Sequence, residues 1–405
     1  MSLNYIFVDG FRNVKNTKIE FAKITSLLSI NSYGKSNLLN AFDFGFEFLS
    51  ETSKNKRSMM GYKRGIPLSL SNLYSDFTFE FGLDVDINKK QYEIIYGYSF
   101  QWNVAKKKGS IISEFLKVKD SGESHKFSLY IDRNIDKAFY KPSITSRCDK
   151  DIKIENNELV INKILAFDGL FYIDVVKYLN NVSMYIDRHL DSSDSFNPSP
   201  VIFKGSDEFD LVNQSDIARI LYRLKIKHKE QYDLIINTVM DIFPFILGIE
   251  VREVTLSPEN VKSNIGDEAP FEISDKIYTL YANHKNMKNK LSFKSMSDGV
   301  KRVLLLYTFT VLAQLNNTFL IAIEEPENSI NPGLLKKYLI GLDNFIDKSR
   351  VVITSHSPFL INYVNPDNLY LGIPNLEYNA LFRKFKQNSL SKLINQARDN
   401  EMMVG

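Results

Sequence analysis

Three short, largely apolar runs along the chain each end in polar or acidic residues. They are Ile24–Leu28, Phe319–Ile323 and Val351–Ile353. A short apolar run bounded by polar residues is typical of a buried strand. The first run is followed by a short polar stretch and then by Asn37–Phe42, which carries apolar residues at helical spacing. This part of the chain therefore predicts a strand, a tight loop and a helix.

The sequence between the first run and the second has different patterns in successive regions. Residues 76–132 alternate apolar and polar positions, which predicts an antiparallel meander. Residues 160–245 show helical spacing, and residues 249–291 return to alternation. The polar and basic stretch Ser50–Ser75 predicts a loop. Because heptads are not sustained over many turns, a long coiled coil is excluded.

The loop between the first predicted strand and its helix ends in Gly34, Lys35 and Ser36. Such a loop wraps main-chain amides around a triphosphate, and the helix N-terminus adds the positive end of its dipole. Lys35 is predicted to reach the β- and γ-phosphates of ATP, and Ser36 to hold Mg²⁺. The chain is therefore predicted to be a nucleoside triphosphatase, with the nucleotide bound by Asn31, Ser32, Tyr33, Gly34, Lys35, Ser36 and Asn37.

Two acids follow the second apolar run. Glu324 and Glu325 stand at its carboxyl end. In phosphoryl-transfer sites an acid at a strand's carboxyl end coordinates Mg²⁺, and a neighbouring carboxylate polarises the attacking water. Glu324 is accordingly predicted to be a metal ligand, and Glu325 the catalytic carboxylate.

Two further segments carry candidate phosphate contacts. His356 follows the third apolar run, where a histidine can donate a hydrogen bond to a γ-phosphate oxygen. Ser297, Asp298 and Gly299 form a turn that opens the apolar helix Val303–Leu315, and a helix N-terminus of this kind binds anions. Lys35, Glu325 and His356 are thus the predicted catalytic residues.

The order of these motifs resembles the ABC-type ATPase family, in its SMC/RecF-like and OLD-like branch. The segments that carry the resemblance lie within residues 1–50 and 285–375, and they look like the Walker A loop (Ser29–Ser36), the signature motif (Met296–Gly299), the Walker B strand with its catalytic glutamate (Ile321–Glu327), the D-loop (Ser329–Pro332) and the switch-histidine loop (Thr354–Pro358).

The resemblance implies an α/β fold, a P-loop NTPase with an ABC-type head. That head has a mixed sheet, an antiparallel β lobe and an inserted helical lobe without a long coiled coil. The expected organisation is an N-terminal ATPase lobe over residues 1–160, a helical insertion over 161–248, a C-terminal ATPase lobe over 249–375 and a tail over 376–405. A C-terminal helix is expected in that tail.

The sequence departs from the family pattern at three positions. Ser29 replaces the first Walker A glycine, Glu324 stands where many relatives have aspartate, and Asn331 stands where close relatives often have histidine. A glycine at the first position adopts strained dihedral angles at no steric cost, whereas serine does so at some expense. These departures bear on the hydrolysis rate more than on nucleotide binding, and they leave open a binding module with a degenerate site.

The resemblance also implies a composite site. In such ATPases the signature turn of one protomer caps the γ-phosphate held by the Walker A loop of the other. Because each motif occurs once in this chain, the partner is expected to be a second copy. A homodimer or higher homo-oligomer is predicted, with Ser297, Asp298 and Gly299 acting in trans.

The composition indicates the class of protein and its cellular compartment. The chain has 405 residues with 44% hydrophobic and 24% charged, which is ordinary globular usage. A single cysteine, Cys148, excludes an intrachain disulfide and fits a reducing compartment. The N-terminus lacks a signal-peptide pattern and Val303–Leu315 is too short to span a bilayer, so a cytoplasmic protein without membrane attachment is predicted.

Two function classes compete. The first is the ATPase subunit of a prokaryotic antiphage system, resembling the ATPases of PARIS, Septu and abortive-infection loci, which senses infection or controls a separate effector, such as a nuclease, encoded nearby. The second is a RecF-like repair ATPase that clamps DNA on ATP-driven dimerisation. The chain has no room for a Toprim nuclease domain after His356, which favours the first. A nucleic acid or a phage protein is a further expected partner. Basic residues cluster locally, among them Lys54, Lys56, Arg57, Lys63 and Arg64, and they would contact the phosphates of a nucleic acid if these clusters converge on one surface.

Overall fold

The computed structural model describes most of the chain as two compact units. The first unit comprises Met1–Ile186, Thr318–Glu324 and Lys348–Gly405, and the second comprises Asp187–Asn317 and Glu325–Asp347. The residues that the structure describes are 2–30, 32–69, 73–104, 108–120, 126–187, 194–204, 216–256, 269–328, 330–357, 360, 363–372 and 379–385.

The described residues form nineteen strands and eight α-helices. The strands are β1 (Ser2–Asp9), β2 (Thr17–Glu20), β3 (Ile24–Leu28), β4 (Phe77–Ile87), β5 (Lys90–Gln101), β6 (Ser110–Asp120), β7 (Ser128–Arg133), β8 (Ala138–Tyr140), β9 (Lys150–Asp151), β10 (Met184–Asp187), β11 (Val201–Phe203), β12 (Ile246–Thr255), β13 (Phe271–Ile273), β14 (Lys276–His284), β15 (Leu291–Ser292), β16 (Leu320–Glu324), β17 (Arg350–Ser355), β18 (Leu369–Gly372) and β19 (Phe382–Lys384). The helices are α1 (Lys35–Ser50), α2 (Ser53–Met59), α3 (Val160–Ile164), α4 (Ile173–Asn180), α5 (Ile217–Lys227), α6 (Lys229–Ile242), α7 (Asp298–Leu315) and α8 (Pro332–Leu342).

An antiparallel sheet forms one layer of the first unit. Its strands run in the order β2-β1-β4-β5-β6-β7-β8-β9, and β4 to β7 pair in succession as the predicted meander. Alternate residues Phe77, Phe79 and Phe81 are fully buried, as the two-residue period of a strand requires. Helix α1 packs on these aromatic side chains, with the ring of Phe46 edge-on to that of Phe79 and their centroids 5.1 Å apart. The meander thus holds the helix that follows the candidate phosphate loop.

A second sheet of the first unit holds the strands predicted from the apolar runs. Its order is β10-β16-β17-β3-β18-β19, and β16, β17, β3 and β18 are mutually parallel. Parallel strands place their carboxyl ends at one edge of the sheet. Glu324 pairs with Thr354, and Thr354 pairs with Leu27, so the ends of three strands lie in one row. The loops that follow these strands therefore start side by side.

The prediction of a loop over Ser50–Ser75 is wrong in its first part, which contains α2. Thr52 caps this helix by accepting a hydrogen bond from the Asn55 amide at 3.3 Å. Lys56 is only 1% exposed, and its amine donates to the main-chain oxygens of Leu49 and Glu51 at the end of α1. Burial lowers the pKa of Lys56 to about 8. Lys56 consequently joins α2 to α1 and is not part of an exposed basic surface.

The predicted C-terminal helix is wrong where the structure describes the tail. Phe382–Lys384 form the strand β19, which pairs antiparallel with β18, while residues 386–405 lie outside the described residues. Phe382 is buried, so tertiary packing decides the conformation of this short segment. The apolar spacing of the tail favours a helix in the sequence, but short apolar runs do not distinguish helix from strand.

The second unit contains the antiparallel sheet β12-β14-β15 and the helices α5 to α8. Strand β12 pairs with β14 over its whole length, in the region where alternation had predicted strands. Helix α7 is buried along nearly its entire length, as its apolar sequence predicts. None of the helices among the described residues combines the length and apolar character needed to cross a membrane.

Candidate phosphate-binding site

The candidate phosphate loop has the predicted strand–loop–helix form. Strand β3 ends at Leu28, and α1 begins at Lys35 with Gly34 as its N-cap. Gly34 has φ 122° and Ser32 has φ 60°, so two residues of the loop lie in the left-handed region. Glycine adopts such angles freely, whereas a serine there needs support from its surroundings. Asn31 was predicted to bind nucleotide and lies outside the described residues.

Lys35 is nearly buried at the start of α1, with 6% exposure. Its amine donates hydrogen bonds to the main-chain oxygens of Ser29 at 3.0 Å and Ile30 at 3.3 Å. The ammonium group therefore lies inside the curve of the loop. A phosphate oxygen is a stronger partner for this group than a neutral carbonyl, because a hydrogen bond between two charged groups is stronger.

Ser36 and Glu324 meet at the edge of the parallel sheet. The Ser36 hydroxyl lies 3.5 Å from Glu324 Oε2, at the limit of a hydrogen bond, although 288 residues separate the two in sequence. Ser36 is exposed and Glu324 is half-buried. A hydroxyl and a carboxylate are the hard oxygen donors that Mg²⁺ prefers beside phosphate oxygens. The two side chains that the structure brings together thus fit the predicted ion.

His356 lies at the same edge. It is exposed and follows β17 directly, and the Ser29 amide donates to the Ser355 oxygen at 3.4 Å. The Ser357 amide in turn donates to Ser355 Oγ at 2.9 Å, which shapes the turn after the strand. The start of the phosphate loop and the histidine turn are therefore joined through adjacent strands β3 and β17.

Glu325 begins the later segment of the second unit, Glu325–Asp347, and immediately follows Glu324. Its φ is 45°, a left-handed angle that is uncommon for a residue with a side chain. Asn328 supports this turn, because its side-chain amide donates to Glu325 Oε2 at 3.1 Å and its main-chain amide donates to the Glu325 oxygen at 3.0 Å. Backbone strain of this kind concentrates at functional sites.

The signature-like turn lies in the second unit. Ser297 is the N-cap of α7, and both Ser297 and Asp298 are exposed, while Gly299 is half-buried. Asp298 forms an ion pair with Lys301 at 3.3 Å within the first turn. One turn further, the guanidinium of Arg302 donates to Asp187 at 2.6 Å, and both side chains are almost fully buried. This buried pair anchors the start of α7 from its inner face.

Two residues beside the phosphate loop were missed from the sequence, Arg12 and Asn13. Arg12 Nη1 donates to Asn37 Oδ1 at 2.6 Å, Asn37 Nδ2 donates to Asn13 Oδ1 at 2.8 Å, and Asn13 Nδ2 donates to the Tyr33 oxygen at 3.1 Å. The chain of contacts ties the loop after β1 to the main chain of the phosphate loop. The signal available in the sequence was the polar pair Arg12 and Asn13 shortly after β1, and in the structure Arg12 has φ 52°.

Comparison with known proteins identifies one matching family. Residues 30–362 match the family described as an AAA domain, putative AbiEii toxin, Type IV TA system. The DNA replication and repair protein RecF of Caldanaerobacter subterraneus subsp. tengcongensis is 35% identical over 126 residues. That match covers 29% of this chain and 32% of the RecF protein, so the chain spans about a third of the length of this relative.

A solved structure of an SMC head shares the fold. The SMC head bound to the C-winged helix domain of ScpA has a TM-score of 0.50 and 12% identity, covering 97% of this chain and 100% of that chain. The SMC head domain from Thermotoga maritima has a TM-score of 0.46 and 10% identity, covering 95% of this chain and 100% of that chain. The chain has an SMC head-like P-loop fold, mixed α/β with an antiparallel sheet, and this confirms the predicted fold class.

Proposed function

The chain belongs to the AAA domain family described as putative AbiEii toxins of type IV toxin–antitoxin systems, and on that premise we propose that it binds and hydrolyses ATP with Mg²⁺. The observation that carries the proposal is the meeting of Ser36 with Glu324 beside the buried Lys35 amine. A P-loop, a hydroxyl and a strand-end acid at one sheet edge form the arrangement that phosphoryl transfer requires.

Each residue of the site has a role in this proposal. Gly34, with the amides around it, accommodates the phosphates, and Lys35 donates to the β- and γ-phosphate oxygens. Ser36 and Glu324 hold Mg²⁺, which neutralises phosphate charge when bound. Glu325 orients the attacking water and accepts its proton, and His356 donates to a γ-phosphate oxygen.

We further propose that two chains complete the site. The start of α7 offers a helix N-terminus to an anion. Ser297 and Asp298 are exposed there and Gly299 is half-buried, so the turn is accessible to a second copy. The signature turn of one protomer then caps the nucleotide held by Lys35 and Ser36 of its partner. A two-fold symmetric pair would contain two such composite sites.

Mixing two inactive variants tests the composite site. Lys35→Met removes the amine from one half-site and Ser297→Arg blocks the other, so each variant alone should hydrolyse little ATP. In an equal mixture, half of the dimers are mixed and each mixed dimer has one intact site, so ATPase activity should return to at most about one quarter of wild type.

A second mixture is the matched control. Lys35 and Glu324 lie at the same sheet edge of one chain, so Lys35→Met and Glu324→Gln damage the same half-site and their mixture should stay inactive. Recovery of activity in the control mixture, or no recovery in the test mixture, would contradict the arrangement in trans.

The biological role that we propose is control of a separate effector in antiphage defence. The family is described as a putative toxin of a type IV toxin–antitoxin system, which supports a role in such a system, and the separate effector is our own addition. In this role ATP-dependent assembly reports infection to an effector, such as a nuclease, encoded nearby. A cytoplasmic location follows from this role.

The second candidate is a RecF-like DNA repair ATPase that clamps DNA on ATP-driven dimerisation. The 126-residue match to RecF at 35% identity supports it. Both candidates use the same ATP site, so they differ in what the assembled dimer contacts.

Phage challenge and DNA stimulation distinguish the two roles. The defence role predicts fewer plaques on a host that expresses the chain with its neighbouring genes, and loss of protection in Lys35→Met. The repair role predicts that double-stranded DNA accelerates ATP hydrolysis and that Lys35→Met leaves plaque numbers unchanged. Protection from phage, together with an ATP hydrolysis rate that DNA does not change, would support the defence role and exclude the repair role.

A further inference from the structure

Tyr33 joins the phosphate loop to the C-terminal segment of the chain. Its hydroxyl donates to the Leu381 oxygen at 3.2 Å and accepts from the Leu381 amide at 3.1 Å, across 348 residues. The Tyr33 ring packs edge-on against Phe382, with centroids 5.7 Å apart. These two hydrogen bonds hold Tyr33 and Leu381 together more tightly than a single hydrogen bond would.

The segment 379–385, which we call the C-terminal strap, is itself fastened to the body of the first unit. The Ala380 amide donates to the Asn13 oxygen at 2.8 Å, and Thr17 Oγ1 donates to the Ala380 oxygen at 3.2 Å. Ala380 is completely buried. The strap therefore presents a fixed surface to the phosphate loop.

The loop is shaped against this surface. A Cβ added at Gly34 would lie 2.7 Å from the Ala380 Cβ, so only glycine allows this close approach. The left-handed residues Ser32 and Gly34 flank Tyr33 on both sides. Tyr33 is held by its main-chain oxygen through Asn13 and by its hydroxyl through Leu381. Its side chain thus anchors the most strained part of the loop.

We infer that Tyr33 is a positioning residue of the phosphate loop, and that nucleotide binding and docking of the C-terminal strap are coupled through it. The inference rests on the proposed ATP binding. Tyr33 holds the loop amides in the conformation that receives phosphate, so undocking of the strap weakens nucleotide binding. Because linkage is reciprocal, bound nucleotide stabilises the docked strap by the same factor.

The test compares Tyr33→Phe with Tyr370→Phe. Tyr370 makes a similar contact in the same unit, because its hydroxyl accepts from the Glu20 amide at 2.9 Å and donates to the Glu20 oxygen at 3.5 Å. Both variants lose one phenol that bridges main-chain groups and keep the ring. The probe is Mg–AMP-PNP, a non-hydrolysable ATP analogue, measured by calorimetry, with hydrogen exchange measured at single amides.

Three results are expected. Tyr33→Phe should raise the Kd for Mg–AMP-PNP roughly three- to tenfold, whereas Tyr370→Phe should leave it at the wild-type value. In ATPase assays the KM of Tyr33→Phe should rise by a larger factor than kcat falls. In wild type, Mg–AMP-PNP should slow hydrogen exchange of the Leu381 and Ala380 amides. In Tyr33→Phe the Ala380 amide keeps its Asn13 acceptor, and Mg–AMP-PNP should slow its exchange less than in wild type.

The outcomes separate this inference from the proposed function. If wild type fails to bind Mg–AMP-PNP, the ATPase proposal is overturned together with the coupling. If wild type binds and Tyr33→Phe binds equally well, the coupling alone is overturned and the ATPase proposal stands. An equal loss of affinity in Tyr370→Phe would show a general loss of stability and would also overturn the positioning role.

Discussion

Replacing Lys35 with methionine should lower kcat/KM for ATP by roughly 10²-fold or more, because the amine is the only cation that the phosphate loop itself contributes. Methionine keeps most of the buried stem, which is 6% exposed, so the variant should fold. The measurement is Mg²⁺-dependent phosphate release, together with calorimetric titration of ATP.

The matched control for this charge is Lys177→Met. Lys177 lies on α4 of the same unit, far from Lys35 in sequence, and its side chain is 54% exposed. Its replacement by methionine therefore removes an equal charge from a solvated position. Its ATPase activity should equal that of wild type. Wild-type hydrolysis by Lys35→Met would mean that the phosphate loop does not bind the triphosphate.

Replacing Glu325 with glutamine should lower kcat by roughly 10²- to 10⁴-fold, because an amide does not accept the proton of the attacking water. ATP binding should persist, since Lys35, Ser36 and Glu324 are unchanged. The variant should therefore accumulate with ATP as a particle of doubled mass. Light scattering with and without Mg–ATP measures this shift.

Glu327→Gln is the matched control for the carboxylate. Glu327 lies two residues further along the same turn and is half-buried like Glu325. Its substitution by glutamine is the same chemical change. It should retain hydrolysis. If Glu327→Gln is inactive while Glu325→Gln is active, the catalytic carboxylate is Glu327, and an ATP-independent mass in Glu325→Gln would count against the composite dimer.

Strands and helices that show a regular pattern of apolar residues along the sequence were predictable. The boundaries of β3 and the helix α7 follow from apolar runs, and β4 to β7 follow from alternation, because burial on one side or both imposes these periods on the chain. The predicted boundaries of the lobes, the site residues and the dimer stay predictions.

The failures have a common physical cause, which is tertiary packing of short segments. Ser53–Met59 is polar and basic, and it is helical because Thr52 caps it and the Lys56 stem is buried against the end of α1. Phe382–Lys384 is a strand because β18 offers it an open edge. The polar, basic composition of Ser53–Met59 and the short apolar run of the tail do not show these packing contacts, so local propensity did not reveal them.

The predicted chemistry of the loop follows from the sequence alone, because a Gly-Lys-Ser triplet between a buried strand and a helix is a contiguous signal. Which distant groups surround that loop depends on how the whole chain folds. The order of parallel strands brings Glu324 to Ser36 across 288 residues, and the C-terminal strap reaches Tyr33 across 348. Strand order and edge pairing depend on the whole core, so no local pattern encodes these contacts.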